Sequence, residues 1–184
     1  MLVARYLKDG DEFYGLMEND QLHRLPDGPF GKLKAGGEID LVSDVRLLTP
    51  LPSPRIFAVG MNYKGHIAEA GAEIPDIPLI FMMPDTALIG SDEPIVLPLE
   101  AENVEHECEL AIVVGRQARR IPRENALDYV FGYTCANDVS ERVIQNREMT
   151  SGALLIGKSF DSFCPVGPVI ATDLDPGSLT CLLY

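Results

Sequence analysis

Glu107-Cys108-Glu109-Leu110-Ala111-Ile112-Val113-Val114-Gly115 carries two carboxylates into a short apolar run that a glycine closes. The run is brief and rich in β-branched residues, the pattern of a buried strand. Side chains of a strand alternate between its faces, so Glu107 and Glu109 point the same way, about 6.6 Å apart along the chain. Two like charges at the entrance to a core repel each other and resist desolvation. They need a partner cation or a raised pKa. A hard divalent metal ion is the simplest partner.

Such an ion asks for a further oxygen ligand, and Asp138 is the best candidate. It follows a strand-like stretch, Phe131 to Ala136, where a short carboxylate can turn inward. Oxygen-only ligation favours Mg²⁺, Mn²⁺ or Ca²⁺ over zinc. Glu105 shares the parity of the pair and is a substitute ligand further out. From the pattern alone a second reading stands beside this one, a solvated acidic strand end. His106 and Cys108 face the other way, and no second pair at ligand spacing supports zinc.

Three further groups carry chemistry. His66 and Glu69 lie three apart, on one face of a short helical turn over residues 65–70 with Gly71 as its C-cap. A carboxylate that orients a histidine makes a general base, although an exposed polar helix face gives the same spacing. Asn62, Tyr63 and Lys64 precede them in a loop able to close over a site. Lys158 sits among Leu154, Leu155, Ile156 and Phe160, placed to offer charge to an anionic substrate or an enolate, or to snorkel outward. Arg142 and Gln145, three apart on a helix expected over residues 141–148, project near the same place.

Upstream, Leu2-Val3-Ala4-Arg5-Tyr6-Leu7 and Glu12-Phe13-Tyr14-Gly15-Leu16-Met17 read as a hairpin around Lys8-Asp9-Gly10-Asp11. Residues 1–50 form a small N-terminal β-rich domain. The stiff connector Pro50-Leu51-Pro52-Ser53-Pro54 separates it from a core over residues 51–184. In the core, residues 55–60 read as a strand. Residues 75–84 are expected to be an extended wall or lid without regular structure. Residues 123–130 read as a helix with Pro122 near its first turn. Leu179-Thr180-Cys181-Leu182-Leu183-Tyr184 reads as a strand with no turn or polar tail after it, as if the chain were unfinished.

The chain carries 15 Lys and Arg against 28 Asp and Glu, a net charge of −13, which disfavours nucleic-acid binding. No apolar run approaches membrane-spanning length and no signal-peptide pattern opens the sequence, so a cytoplasmic setting is expected. The four cysteines are scattered and read as packing residues. A glycine-rich phosphate loop, a Gly-x-Ser-x-Gly elbow and a His-Glu-x-x-His helix are all absent from the sequence. Nucleotide-dependent and serine-hydrolase readings therefore lack support.

In order and spacing the chain resembles the fumarylacetoacetate hydrolase family over about residues 55–176. The resembling stretches are Phe57-Ala58-Val59-Gly60-Met61-Asn62-Tyr63 with His66 and Glu69, Ala87-Leu88-Ile89-Gly90, and Glu107-Cys108-Glu109-Leu110-Ala111. They continue through Gly132-Tyr133-Thr134-Cys135-Ala136-Asn137-Asp138-Val139-Ser140 with Arg142 and Gln145, and Lys158-Ser159-Phe160-Asp161. Residues 1–50 resemble the small N-terminal domain of bacterial members.

The resemblance implies a mainly β (α+β) fold built on the family's β-roll, in a homodimer. It implies Mg²⁺ or Mn²⁺ held by Glu107, Glu109 and Asp138, with His66 and Glu69 as a water-activating dyad on a lid. Lys158 then binds and polarises the substrate, with Arg142, Gln145 and Tyr63 as further substrate contacts. The substrates implied are small 2-oxo or diketo acids, isomerised, decarboxylated or cleaved at a C–C bond, as in the breakdown of aromatic compounds.

Two departures stand out. Met82-Met83-Pro84 occupies a segment where members often carry a lysine, and the family's later strands with their Gly-Thr-Pro-x-Gly segment have no counterpart here. A second expectation follows, that of a truncated, non-catalytic paralogue that binds metal or only assembles with another chain.

Overall fold

The Asp9-Gly10 turn sets the first register of the structure, a computed structural model that describes residues 1–69 and 71–179. Both residues have positive φ, 52° and 93°, the two-residue turn whose twist suits a hairpin and which favours Asp-Gly. On either side, β1 (Leu2–Lys8) and β2 (Asp11–Glu18) pair antiparallel from Leu2↔Met17 to Lys8↔Asp11. Then β3 (Gln21–Arg24) pairs with β2, β4 (Ile39–Leu41) with β3, and β5 (Arg46–Leu47) returns to Tyr6 and Leu7 of β1.

Past the proline connector, β6 (Ile56–Gly60) leads into the short helix α1 (Lys64–Glu69) and then β7 (Leu79–Met83), which pairs antiparallel with β6. Here the sequence reading is corrected, since half of the expected irregular wall is a strand. Phe81 and Met83 are buried while Ile80 and Met82 are exposed, the period-two alternation of a half-buried strand. Pro78 and Pro84 bracket that alternation without interrupting it.

The rest of the chain builds the site. β8 (Leu88–Ile89), β9 (Val104–Glu105) and β10 (Cys108–Val114) are followed by a 3-10 stretch, Arg123–Tyr129, where an α-helix was expected. None of its residues is buried, so no buried apolar face favours a longer helix, and short weakly supported turns take the tighter form. β11 (Val130–Asn137), β12 (Ser140–Glu141), α2 (Arg142–Thr150), a 3-10 turn at Ile156–Lys158 and β13 (Cys164–Ala171) complete the elements. The terminal strand expected from Leu179 onward lies, past that residue, outside the described residues.

The architecture is mainly β, as the sequence predicts. One large sheet runs β10-β11-β13-β1-β2-β3-β4, with β5 also on β1 and β8 parallel to β13. β1 is the hinge of this order, because Leu2↔Ala171, Val3↔Ile170 and Ala4↔Val169 join the N-terminal strands to β13. Val3 and Leu25 share a core with Val113 and Ile170, so residues on both sides of the proline connector bury one another. Each fully buried aliphatic side chain of this kind contributes about 1.5–3 kcal/mol.

Candidate active site

Two backbone clips bring the predicted carboxylates together at one end of the β10–β11 pair. The Glu107 N–H donates to Asn137 Oδ1 at 3.0 Å, and the Asp138 N–H donates to the Glu107 carbonyl at 2.9 Å. The register Cys108↔Asn137 and Glu109↔Ala136 then lays Glu107 beside Asp138, with Glu109 two residues further along the strand.

Lys158 enters from the turn after α2, and its ammonium does not snorkel. The residue is only 3% exposed. Nζ donates to Asp138 Oδ2 at 2.6 Å, Ser140 Oγ at 2.7 Å and Glu107 Oε2 at 2.9 Å, using all three of its donors. Arg142, the first residue of α2, takes the other oxygen of Glu107, with Nη1 2.6 Å from Oε1. Its Nε donates to Glu105 Oε2 at 2.8 Å, and Nη1 donates to Gln145 Oε1 at 2.9 Å. Glu107 is therefore gripped by one cation on each oxygen, and Glu105 serves as a holder of Arg142.

The electrostatics divide the three carboxylates. Burial works to raise the pKa of Glu107, but Lys158 and then Arg142 outweigh it and hold the group below its ordinary value. Glu109 moves up, through burial first, with the Tyr63 hydroxyl bond opposing and the charge of Glu107 adding to the rise. Burial pushes Asp138 up to about 6, against the pull of Lys158 and with Glu107 reinforcing the rise. Beside them, burial and then the charge of Asp138 push the Cys164 thiol up to about 12, so it stays protonated and is a packing residue.

Tyr63 joins the cluster through its hydroxyl, which bonds Glu109 and accepts from the Leu110 N–H at 3.4 Å. His66 lies on α1 near enough for its charge to favour ionised Glu109. His66 and Glu69 are both exposed, and no ion pair joins them among the described residues. The predicted dyad is thus on one short helix but not closed. An apolar cleft of about 490 Å³, lined by Met82, Met83, Pro84, Leu155, Ile156 and Phe160, adjoins the turn that bears Lys158.

Glu141 is a central residue that sequence reasoning missed. It is fully buried, and its Oε1 accepts from the N–H groups of Asn103 at 2.9 Å and Glu102 at 3.2 Å, while Oε2 accepts from Ile144 at 2.6 Å. Burial raises its pKa, yet the N–H groups of Asn103, Ile144 and Glu102 prevail and keep it below its ordinary value. Glu141 thereby caps α2 and ties the segment carrying Glu105 and Glu107 to Arg142. A carboxylate between a strand end and a helix start was the available signal.

Among the described residues no three Asp, Glu, His or Cys groups stand at metal-ligand spacing, and Glu107 and Asp138 instead converge on Lys158. The donor set nevertheless fits a hard divalent ion. Asp138 Oδ1 is buried with no hydrogen-bond partner. Four carboxylates, Glu105, Glu107, Glu109 and Asp138, face two cations, Lys158 and Arg142. Every candidate ligand is a carboxylate oxygen, the chemistry that Mg²⁺ and Mn²⁺ prefer.

Comparison with known proteins agrees with this fold. The profile described as "Fumarylacetoacetate (FAA) hydrolase C-terminal" matches residues 55–182, and "Rv2993c-like, N-terminal" matches residues 1–50. The chain belongs to the fumarylacetoacetate hydrolase family. It is 44% identical over 152 residues to Protein Rv2993c of Mycobacterium tuberculosis, covering 83% of this chain and 56% of that one. A crystal structure of 5-carboxymethyl-2-hydroxymuconate delta-isomerase from Mycobacterium smegmatis superposes with a TM-score of 0.84 at 38% identity, over 96% of this chain and 69% of that one. Maleylpyruvate hydrolase from Sphingobium sp. SYK-6, solved with manganese(II) and pyruvate, gives a TM-score of 0.69 at 28% identity, over 94% and 67%. The chain spans 56–66% of the length of three curated relatives that it matches.

Proposed function

We propose that the chain carries the centre of a divalent-metal-dependent enzyme acting on small 2-oxo or diketo acids, by isomerisation, decarboxylation or C–C bond hydrolysis, in the breakdown of aromatic compounds. The observation that carries this reading is the cluster around Asp138, where an unbonded buried carboxylate oxygen sits among more carboxylates than cations. The isomerase and hydrolase among its structural neighbours support the reaction class. Mg²⁺ or Mn²⁺ on Glu107, Glu109 and Asp138 supplies Lewis acidity when bound.

The chain's own residues do the remaining work. Arg142, Gln145 and Tyr63 bind and orient the carboxylate end of the acid, a planar guanidinium being suited to a planar carboxylate. The Lys158 ammonium, held in a site where charge is poorly screened, stabilises negative charge developing on the substrate oxygen. His66 takes or returns the proton, or deprotonates water, when Glu69 approaches and orients it. The cleft beside Met82, Met83 and Phe160 excludes water around the non-reacting part of the acid.

A cytoplasmic homodimer completes the proposal. Phe57 opposite Met82 and Val59 opposite Ile80 present exposed apolar pairs on one face of the β6–β7 ribbon, suited to burial against a second copy. No helix among the described residues is long and apolar enough to cross a membrane. One observation favours the non-catalytic reading. β10 is the outermost strand on its side of the sheet, with Ile112 and Val114 exposed, an arrangement that suits pairing with another chain.

Turnover decides between them. Oxaloacetate and acylpyruvates are offered to the wild type and to Lys158→Met, each with and without Mn²⁺. Mn²⁺-dependent consumption by the wild type alone supports the enzyme, whereas no consumption under any condition supports the non-catalytic relative.

A further inference from the structure

α2 lies between the two segments that bring Glu107 and Lys158 together, and Glu148 fastens it to the second. The Glu148 carboxylate accepts from three consecutive backbone N–H groups. Leu155 at 3.2 Å and Ile156 at 2.6 Å bond Oε1, and Gly157 at 2.8 Å bonds Oε2. The next residue is Lys158. An ionised carboxylate in a nest of successive N–H groups makes charge-assisted bonds to donors that have no rotamer to lose.

The same turn is pressed against the start of the helix. A Cβ on Gly157 would stand 2.8 Å from the Gln145 nitrogen and 2.9 Å from the Glu141 carbonyl oxygen, so only glycine fits there. Glu148 draws the turn in from one side, and the helix backbone stops it on the other. Lysine has a long flexible stem, and Nζ reaches three acceptors within 2.6–2.9 Å only if its own backbone is fixed. A shift of the turn by about 1 Å moves Nζ off the one point where all three distances are short, and so weakens the set.

We propose that Glu148 is a positioning residue that sets the Lys158 ammonium between Glu107, Asp138 and Ser140 by holding the backbone of residues 155–157. Its catalytic consequence rests on the function proposed above. The placement of the ammonium does not, and it is measured without turnover.

The test is competitive acetylation of the full chain with acetic anhydride, read at each lysine by mass spectrometry, with exposed Lys32 and Lys34 as internal references. In the wild type Lys158 reacts far more slowly than the references. Glu148→Gln keeps the size of the side chain but only one accepting oxygen. Lys158 then reacts about tenfold faster relative to Lys32 and Lys34, with the melting temperature within about 4 °C of wild type. Gly157→Ala, which pushes the turn off the helix, gives the same selective gain. Unchanged protection of Lys158 in both variants overturns the proposal, as does a gain that appears only when the whole chain melts. If the wild type consumes no 2-oxo acid, the functional reading fails while the labelling still decides this inference.

Discussion

Asp138 gives Lys158 one oxygen and leaves the other bare: Oδ2 accepts from Nζ at 2.6 Å, whereas Oδ1 is buried without a hydrogen-bond partner. A buried acceptor left unpaired costs about 1–3 kcal/mol. Lys158 therefore compensates the cluster only in part, and the proposed metal ion would supply the second cation.

Removing Lys158 exposes that dependence. In Lys158→Met the carboxylates of Glu107 and Asp138 keep their burial and lose their common ammonium. The metal-free chain is expected to lose about 3–5 kcal/mol, because breaking a buried pair leaves charge uncompensated. Urea denaturation with and without Mn²⁺ checks this. The deficit is large without metal and smaller with it, and a deficit that ignores Mn²⁺ contradicts the account.

Arg142 tests the substrate side. Its guanidinium spans Glu105, Glu107 and Gln145 at once, a reach that an ammonium lacks. Arg142→Lys is expected to raise KM for a 2-oxo acid about tenfold with a smaller change in kcat, the signature of lost binding common to ground and transition states. Steady-state kinetics at saturating Mn²⁺ measure both constants.

Much of this site was legible because its parts are local. Strand parity aligned Glu107 with Glu109, the end of β11 located Asp138, and the Asp9-Gly10 turn set the first hairpin. What stayed hidden depends on contacts distant in sequence. The pairing of Leu2 with Ala171 leaves no periodic trace. β7 was obscured by the prolines around it, and the 3-10 stretch Arg123–Tyr129 carries helix-forming residues, none of which folding buries. Glu141 and Glu148 stand at the two ends of the helix expected over residues 141–148, and backbone N–H groups brought in by folding give them their roles.

Acid stability reads a separate feature, the Asp40 carboxylate. It accepts from Tyr6 Oη at 2.8 Å and Arg24 Nε at 2.6 Å, and Lys8 pairs with it as well. The Arg24 hydrogen bond, with Lys8 and Tyr6 behind it, prevails over burial and holds Asp40 far below its ordinary 3.8. A carboxyl depressed by folding stabilises the native state above its unfolded value, and that contribution is lost as pH falls toward the folded one. The urea midpoint of the wild type is expected to drop between about pH 5 and pH 2. Asp40→Asn lowers the midpoint at neutral pH and flattens the acid loss. An equally steep loss in Asp40→Asn assigns the acid sensitivity elsewhere.

The central claim is that Glu107, Glu109 and Asp138 form a cation site although Lys158 already stands among them. Titration of the metal-free chain with Mn²⁺, following the loss of the free-ion electron paramagnetic resonance signal, tests it most directly, with Asp138→Asn and Glu109→Gln in parallel. The account predicts one bound Mn²⁺ per chain in the wild type and affinity at least about tenfold weaker in each variant, a loss on the order of 1.4 kcal/mol. Equal binding in all three proteins, or none in the wild type, contradicts it.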